Sequence, residues 1–364
     1  MLLLYIFAAV VLINCAYLLL FSRFSFLQPK EVISSEEYPI SLIVCAKNEA
    51  ENLKINIPLW QQQSYSNFEL ILINDSSYDD TLGVMESFAK DDTRIKIVNV
   101  ENNEAFWGNK KYSLTLGIKA ARNKRMLFTD ADCAPNSNLW IKEMVAQFSS
   151  EKQLILGFGG YQKKPGILNK LIRYETLITA IQYFSYAKSG IPYMGVGRNL
   201  GYTSNLYYEN NGFMSHMKIL SGDDDLFVNE AATSKNTALC FTKDSFTISN
   251  PKESWKEWFI QKKRHISTAK HYKGKHKFLL GLYFVSQLLF WVLAITTILI
   301  IDWKIPAIII AFRFLLHWIV IGKSAMKLDQ KDLLYLVPFW EIFLIISQMS
   351  IFITNSTSKN NKWK

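Results

Sequence analysis

The chain has few cysteines, and their positions exclude two common kinds of cysteine site. Only four occur among the 364 residues, namely Cys15, Cys45, Cys133 and Cys240. They lie far apart and form no Cys-x-x-Cys pair. This pattern favours free, mostly buried thiols in a reducing compartment over a disulfide framework or a zinc site. No internal repeat is visible either.

Negative charge is scarcer than positive charge, because 41 Lys and Arg face 31 Asp and Glu, a formal net charge of +10. Such an excess indicates an anionic partner, which is a nucleic acid, a nucleotide or a membrane surface. Much of the excess lies in Ser254–Lys277, together with Trp255 and Trp258. A basic, Trp-bearing segment beside an apolar stretch is typical of an interfacial helix facing anionic lipid. We therefore expect a bilayer and no nucleic acid as the partner.

Charge is absent from long stretches of the chain. Leu2–Phe21 has no charged residue and is long enough to cross a bilayer core. It lacks a basic start and a small-residue cleavage site, which favours a retained anchor over a signal peptide, with a buried core helix as the alternative. Basic residues follow it, which places the next region in the cytoplasm. Three further apolar stretches come late in the sequence: Phe278–Ile301, Ile305–Gly322 and Leu333–Thr354.

The topology of the late apolar stretches stays open. Four spans would put the lysine-bearing tail Asn355–Lys364 outside the cell, against the positive-inside rule. Either the rule fails at this tail or one stretch is re-entrant or interfacial. Ile167–Tyr186 is also long and apolar, and it fits a core helix and a membrane-associated helix equally well.

From Pro39 to about Asn250 the sequence alternates apolar strands with helical segments. This alternation implies a parallel sheet with helices on both faces, and ligands then bind beyond the carboxyl ends of the strands. The predicted strands are Ile40–Ala46, Phe68–Asn74, Ile95–Val100, Met126–Thr129 and Leu154–Gly159.

Two carboxylates follow the fourth predicted strand with one residue between them. Asp130 and Asp132 should project to the same side, since strand residues i and i+2 do so. Close carboxylates repel unless a cation lies between them, and Mg²⁺ takes such oxygens together with substrate phosphates. The pair indicates a metal–diphosphate site, with a solvated turn as the alternative. Asn48 and Asp75 also follow strands and should share this edge.

Three consecutive carboxylates, Asp223, Asp224 and Asp225, begin a predicted helix that runs to about Ala232. One Asp would be enough to cap the helix and to interact with its dipole. Three adjacent carboxylates repel one another, which capping alone does not explain. A general base beside a substrate hydroxyl would give one of them a function.

Short segments of this sequence resemble, in order, the motifs of a known family. The resemblance is to inverting family-2 glycosyltransferases, and it covers roughly Pro39 to His265. It implies the α/β GT-A fold of nucleotide-diphospho-sugar transferases, which has a Rossmann-like mixed sheet. The flanking apolar stretches fit the membrane-bound branch, which includes ceramide glucosyltransferase and the cellulose, hyaluronan and poly-N-acetylglucosamine synthases. The matching segments are Ser41–Glu49, Ile73–Asp75, Lys110-Lys111, Asp130–Asp132, Gly222–Leu226 and Gln261–Arg264.

The resemblance implies how the donor is bound. Asn48, Glu49 and Asp75 would hold the base and ribose of a nucleotide, and Lys110 would lie near the nucleotide or the diphosphate. The Asp130–Asp132 segment, through its two carboxylates, would place Mg²⁺ or Mn²⁺ on the diphosphate, which stabilises the departing group.

The resemblance also implies the transfer step. Asp223 would deprotonate the acceptor hydroxyl, which attacks the anomeric carbon from the opposite face and inverts it. Counting back from Leu226 favours Asp223, and Asp224 takes the role if the register shifts by one.

One departure from the family pattern bears on the acceptor. Processive members carry Gln-x-x-Arg-Trp, and Gln261 and Arg264 would reach the diphosphate or the acceptor edge. The fifth position is His265 instead of the Trp that stacks on a growing sugar chain. This change, with only about three C-terminal apolar stretches, favours a lipid acceptor over a polysaccharide-exporting channel.

We therefore expect a metal-dependent enzyme that transfers a sugar from a nucleotide-diphosphate sugar, with a UDP-sugar as the expected donor, to a membrane lipid or lipid-linked glycan. It would be a multi-pass protein of the cell (inner or plasma) membrane. The expected parts are an anchor at 1–22, a cytoplasmic catalytic domain at 39–250, a basic interfacial segment at 251–277 and a membrane region at 278–354.

Two alternatives remain. A processive polysaccharide synthase is the alternative within this class. A nucleotidyltransferase also uses carboxylates and metal on a Rossmann-like sheet, but it requires a phosphate loop rich in glycine and arginine after the first strand. This chain has Ala46-Lys47-Asn48-Glu49 there, which counts against that function.

Overall fold

The computed structural model describes residues 1–29, 38–101 and 110–357. The tail lysines that bear on membrane topology lie outside these residues. The chain divides into two units. The α/β unit comprises Pro29–Lys163 and Gly190–Lys252, and the helical unit comprises Met1–Gln28, Lys164–Ser189 and the chain from Glu253 onward.

Ten strands among the described residues of the α/β unit form two sheets. The strands are β1 (Ile40–Ala46), β2 (Phe68–Asp75), β3 (Ile95–Val100), β4 (Arg125–Asp130), β5 (Cys133–Pro135), β6 (Leu154–Leu156), β7 (Gly159–Tyr161), β8 (Leu200–Thr203), β9 (Thr237–Leu239) and β10 (Thr247–Ser249). The main sheet has the order β3-β2-β1-β4-β8-β6-β9, and the smaller sheet has the order β5-β10-β7.

The first half of the main sheet is parallel, as the alternation of strands and helices predicts. β1 pairs in parallel with β2 and with β4, and β2 pairs in parallel with β3. Both faces of β1 are buried, including Ile40, Leu42, Ile43 and Val44, because a sheet covered by helices on both sides requires continuous apolar strands. This confirms the α/β class.

The second half of the main sheet departs from the parallel arrangement that the alternation alone implies, and it agrees with the mixed sheet that the GT-A resemblance implies. β8 is antiparallel to both of its neighbours, β4 and β6. The segment Leu154–Gly159, expected as one strand, contributes β6 to the main sheet, and Gly159 begins β7 in the smaller sheet. The sheet is therefore mixed, with a parallel half that carries the predicted site.

Twelve α-helices complete the described chain. They are α1 (Leu2–Ser25), α2 (Ala50–Gln61), α3 (Thr81–Asp91), α4 (Lys110–Ala120), α5 (Trp140–Val145), α6 (Ile167–Lys188), α7 (Ser204–Glu209), α8 (Asp225–Ala231), α9 (Trp255–Ala269), α10 (Gly274–Ile300), α11 (Lys304–Lys327) and α12 (Val337–Thr357). In α2, Leu53, Ile57 and Trp60 are fully buried and Ile55 is exposed, which is the spacing of an amphipathic helix.

Four helical segments in the helical unit have the length and composition to cross a membrane: Leu2–Ser25, Gly274–Ile300, Lys304–Lys327 and Lys331–Thr354. They correspond to the one early and three late apolar stretches predicted from sequence. The ambiguous stretch Ile167–Tyr186 forms the 22-residue α6, which groups with these helices.

A buried arginine links all four candidate spans. Arg313 of α11 has no exposed surface, and its guanidinium donates to both carboxylate oxygens of Glu341 on α12, with 2.8 Å between Nη1 and Oε2. It also donates to Asn14 of α1, with 3.3 Å between Nε and Oδ1, and to Gln287 of α10, with 2.5 Å between Nη2 and Oε1. A charge among apolar helices is tolerated when it is paired and hydrogen-bonded in this way.

We predict that Glu341→Leu destabilises the helical unit, because Arg313 is then a buried charge without its anion. The loss should be about 3–5 kcal/mol, whereas the double variant Arg313→Met/Glu341→Leu should recover most of it. Unfolding of the detergent-solubilised protein measures both. Equal stability of the single and double variants would show that the pair does not link the helices.

Candidate functional site

The carboxyl ends of three parallel strands meet at one edge of the main sheet. In the register of the sheet, Ala46 of β1 lies beside Asn74 of β2, and Cys45 lies beside Asp130 of β4. Polar residues that follow these strands therefore start from the same edge. The sequence predicted this convergence from the alternation alone.

Asn48 forms hydrogen bonds between the loop that follows β1 and the loop that follows β2. Its backbone has φ of 57°, a left-handed conformation that asparagine tolerates better than most residues. Its amide oxygen accepts from the backbone N–H of Tyr78 at 2.8 Å, and its own N–H donates to Ser77 Oγ at 3.0 Å. The predicted nucleotide contact is thus held in place by the neighbouring loop.

Glu49 and Asp75 are the other two predicted nucleotide contacts. The Glu49 carboxylate accepts from Asn52 Nδ2 at 2.5 Å, and burial, with Asp132 and Asp130 nearby, raises the pKa of the Glu49 carboxyl. Asp75 ends β2 and accepts from Ser113 Oγ of α4 at 2.6 Å. Glu49 therefore lies close to the acidic pair.

Lys110 connects two of the acidic segments. It begins α4, and its ammonium lies 2.7 Å from Asp130 Oδ1 and 3.1 Å from Asp223 Oδ2. Burial opposes the charged form of Lys110, but Asp130 and Asp223 outweigh it and raise its pKa well above the ordinary value. Lys110 thus bridges a carboxylate at the end of β4 and a carboxylate just before α8.

Asp130, Asp132 and Cys133 form a group whose ligand atoms all lie within 4.8 Å of one another. Burial raises the pKa of the Asp132 carboxyl, and the charge of Asp130 raises it further. A divalent cation would relieve this repulsion between carboxylates. The two carboxylates therefore fit a bound metal ion.

The third group of this set is a buried thiol. Cys133 is fully buried, and burial raises the pKa of its thiol well above the usual range. The thiol donates to Asp132 Oδ1 at 3.3 Å and lies 2.8 Å from Ser249 Oγ. The two carboxylates of the set offer the hard oxygen ligands that suit Mg²⁺ or Mn²⁺.

Arg198 is a charged residue of this region that sequence reasoning missed. Its guanidinium lies over the Tyr161 ring, 4.2 Å from the centroid, and Nη1 donates to Gly160 O at 3.0 Å. Burial raises the pKa of Asp132, and the positive charge of Arg198 offsets part of that rise. Arg198 lies in the glycine-punctuated segment Gly195–Asn199, whose pattern fits a close approach of the backbone to a ligand and an ordinary turn equally well.

Asp223 and Asp224 have opposite environments. Asp223 pairs with Lys110, which lowers the pKa of its carboxyl against the effect of burial. Asp224 accepts from the backbone N–H groups of Gly197 and Asp225, both at 2.7 Å. Burial and the charges of Asp223 and Asp225 raise the pKa of Asp224 to about 7.

Several of these groups line one small cavity. The lining includes the two base candidates and the Lys110–Asp130 pair, and it also includes several apolar side chains. The lining residues are Ile43, Cys45, Lys110, Leu114, Phe128, Thr129, Asp130, Gly197, Leu200, Tyr202, Asp223 and Asp224. Asp130, Asp223 and Asp224 therefore face a common space.

Gln261 and Arg264 lie on α9, in the helical unit. Between them in the sequence, Lys262 pairs with Glu175 of α6 at 2.7 Å. This ion pair joins α9 to α6 within that unit. The expected contact of Gln261 and Arg264 with the diphosphate or the acceptor stays a prediction.

Comparisons with known proteins match this chain to glycosyltransferases. The sequence model of the family "Glycosyl transferase family 2" matches residues 41–207. An uncharacterized glycosyltransferase of Haemophilus influenzae is 32% identical over 142 residues, which is 38% of this chain and 42% of the relative. The cholesterol galactosyltransferase of Borreliella burgdorferi is 30% identical over 103 residues, 28% of this chain and 27% of the relative. Each match thus spans less than half of the relative's length.

A solved structure resembles nearly the whole chain. The mannosyltransferase PcManGT from Pyrobaculum calidifontis, in complex with GDP-Man and Mn²⁺, superposes with a TM-score of 0.64. The superposition covers 98% of this chain and 99% of the other at 15% sequence identity. At that identity the likeness shows the fold alone, and the fold is GT-A, as the sequence motifs predicted. Residues 41–207, from β1 into α7, therefore match the sequence model of glycosyltransferase family 2, and the described chain has the GT-A fold.

Proposed function

We propose that the protein is a metal-dependent inverting glycosyltransferase that moves a sugar from a nucleotide-diphosphate sugar to a membrane lipid or lipid-linked glycan. One observation carries the proposal. At the carboxyl edge of the sheet, Lys110 lies between Asp130 and Asp223, so one cation joins the predicted metal segment to the predicted base segment.

The donor would lie along this edge. Asn48, Glu49 and Asp75 follow β1 and β2, where a base and ribose would contact them. Asp130 and Asp132 would hold Mg²⁺ or Mn²⁺, which supplies positive charge to the departing diphosphate. The Lys110 ammonium lies within hydrogen-bond distance of Asp130. It is therefore placed to bind phosphate oxygens beside the metal ion.

The acceptor hydroxyl would give its proton to Asp224. A general base works best with a pKa near the working pH, and the pKa of Asp224 is raised to about 7. The Lys110 ammonium holds Asp223 in its ionised form and makes it a weaker base. These environments favour Asp224 over Asp223 as the general base. Asp223 would instead hold Lys110 in position.

A lipid acceptor is supported by features outside the catalytic domain. Over residues 1–29, 38–101 and 110–357, the chain has four helices that are candidate membrane spans. α9 combines Lys and Arg with Trp255 and Ile260, whose exposed fractions are 47% and 60%, as an interfacial helix would. His265 stands where processive members carry Trp. We propose a cell-membrane protein whose catalytic domain is cytoplasmic and which adds sugar to single lipid acceptors.

The reaction can be tested with a panel of labelled UDP- and GDP-sugars, membrane lipid extract and Mn²⁺ or Mg²⁺. We expect one labelled lipid product, of the opposite anomeric configuration to the donor, because a single displacement inverts that carbon. Omitting the metal should abolish it. Long polymers on each acceptor would favour the processive alternative, and retention of configuration would contradict the single displacement.

Matched amide substitutions separate the two base candidates. We predict that Asp224→Asn lowers the transfer rate by about 10²–10⁴-fold, the usual contribution of a general base, with donor affinity retained. In the wild type, kcat/KM for the acceptor should fall as the pH drops through about 7, because protonated Asp224 cannot accept the proton.

The control for this prediction is Asp223→Asn, which removes the neighbouring carboxylate and keeps Asp224. It should weaken donor binding more than it lowers the rate at saturating donor, because it releases Lys110. A rate at saturating donor that is lost in Asp223→Asn and kept in Asp224→Asn would return the base role to Asp223.

A further inference from the structure

Lys111 is a buried lysine. It belongs to a matching motif segment, but neither the resemblance nor the proposed reaction gives it a role. It is 1% exposed, and its ammonium donates to the backbone carbonyls of Ile219 and of Ser221, the latter at 2.7 Å. Lys110 precedes it on α4 and contacts carboxylates instead. Because successive residues of a helix are turned by about 100°, the two lysines point to different neighbours.

The carbonyls that Lys111 holds belong to the loop that presents the base candidates. This base loop, residues 219–224, enters α8 through Gly222, whose φ of 98° is left-handed. A Cβ at Gly222 would lie 2.4 Å from Leu226 Cδ1, so the turn is closely packed. At the far end of the loop, Asp224 Oδ2 accepts from Gly197 N–H at 2.7 Å. The loop is therefore fixed at one end by Lys111 and at the other by Gly197.

Burying an ammonium is unfavourable unless it is hydrogen-bonded and faces negative charge. Burial lowers the pKa of Lys111, while the carboxylates of Asp223, Asp225 and Asp224 act in the opposite direction. Those three carboxylates repel one another along the chain, and Lys111 lies close enough to offset part of that repulsion. An apolar side chain would fill the same space without the desolvation, but it would hold neither carbonyl.

We propose that Lys111 is a positioning residue that fixes the base loop so that its carboxylate meets the acceptor hydroxyl. The contacts that Lys111 makes do not depend on the proposed function, whereas the consequence for sugar transfer does. A base that is displaced by as little as 1 Å loses much of its effect, on the order of 100-fold in rate.

The test compares Lys111→Met with Lys119→Met in the full-length protein in detergent. Lys119 lies on the same helix and is exposed, so it controls for loss of a lysine from α4. We expect Lys111→Met to lower kcat by on the order of 100-fold. Binding of UDP-glucose or GDP-mannose with Mn²⁺, whichever the wild type binds, should stay within about threefold, since the donor groups are untouched. Lys119→Met should match the wild type in both.

A second readout follows the loop itself and needs no activity. Lys218 is exposed and precedes Ile219, so trypsin cleavage after Lys218 reports how often the loop opens. In Lys111→Met this cleavage should become faster by about tenfold or more, because proteolysis tracks the population of the open form. In Lys119→Met it should be unchanged. If the wild type transfers no sugar, the proposed function fails, and this cleavage rate still decides the role of Lys111.

Two further variants guard against a folding defect. Lys111→Arg keeps the charge and should recover part of the lost kcat, whereas a role in packing alone would make the larger side chain worse than Met. Gly222→Ala disturbs the same loop at a second residue and should reproduce the loss of kcat with donor binding kept, even if Lys111→Met does not fold. The proposal would be overturned if Lys111→Met kept the wild-type kcat or the wild-type cleavage rate. It would also be overturned if Lys111→Met and Gly222→Ala both lost donor binding to the same extent as transfer.

Discussion

The repulsion between carboxylates gathered at one sheet edge is the constraint on which the site depends. Parallel strands end side by side, so the acidic residues that follow them are brought together by the fold itself. Lys110 lies between Asp130 and Asp223 and offsets part of that charge. Glu49 and Asp132 nevertheless have raised pKa values, so the edge still has an excess of negative charge. A divalent cation would offset this negative charge and would at the same time bind a diphosphate.

Neighbouring residues of the same type make different contacts in this arrangement. Lys110 contacts carboxylates and Lys111 contacts backbone carbonyls, because one helical step turns them apart. Asp223 faces Lys110, whereas Asp224 accepts from two backbone N–H groups and has a pKa of about 7. Repeated residues in a motif are thus not interchangeable, and their partners determine which one can bind phosphate, accept a proton or fix a loop.

The sequence predicts much of the fold and of the sheet edge, because buried parallel strands are continuous apolar runs and their ends are marked by polar residues. Asn48, Asp75 and Asp130 could be placed in this way. The antiparallel strand β8, the roles of Lys111 and Arg198 and the difference between Asp223 and Asp224 could not. Each of these depends on contacts with residues distant in sequence, such as Gly197 with Asp224 or Ile219 with Lys111, which no local pattern encodes.

The claim that the acidic edge binds a cation together with the donor is tested most directly by calorimetric titration of the nucleotide sugar, with and without Mn²⁺. The account predicts that Mn²⁺ tightens donor binding in the wild type and has no such effect in Asp132→Ala. The exposed-site variant Asp91→Ala should behave like the wild type. Donor binding to the wild type that is equally tight with and without Mn²⁺ would contradict the account.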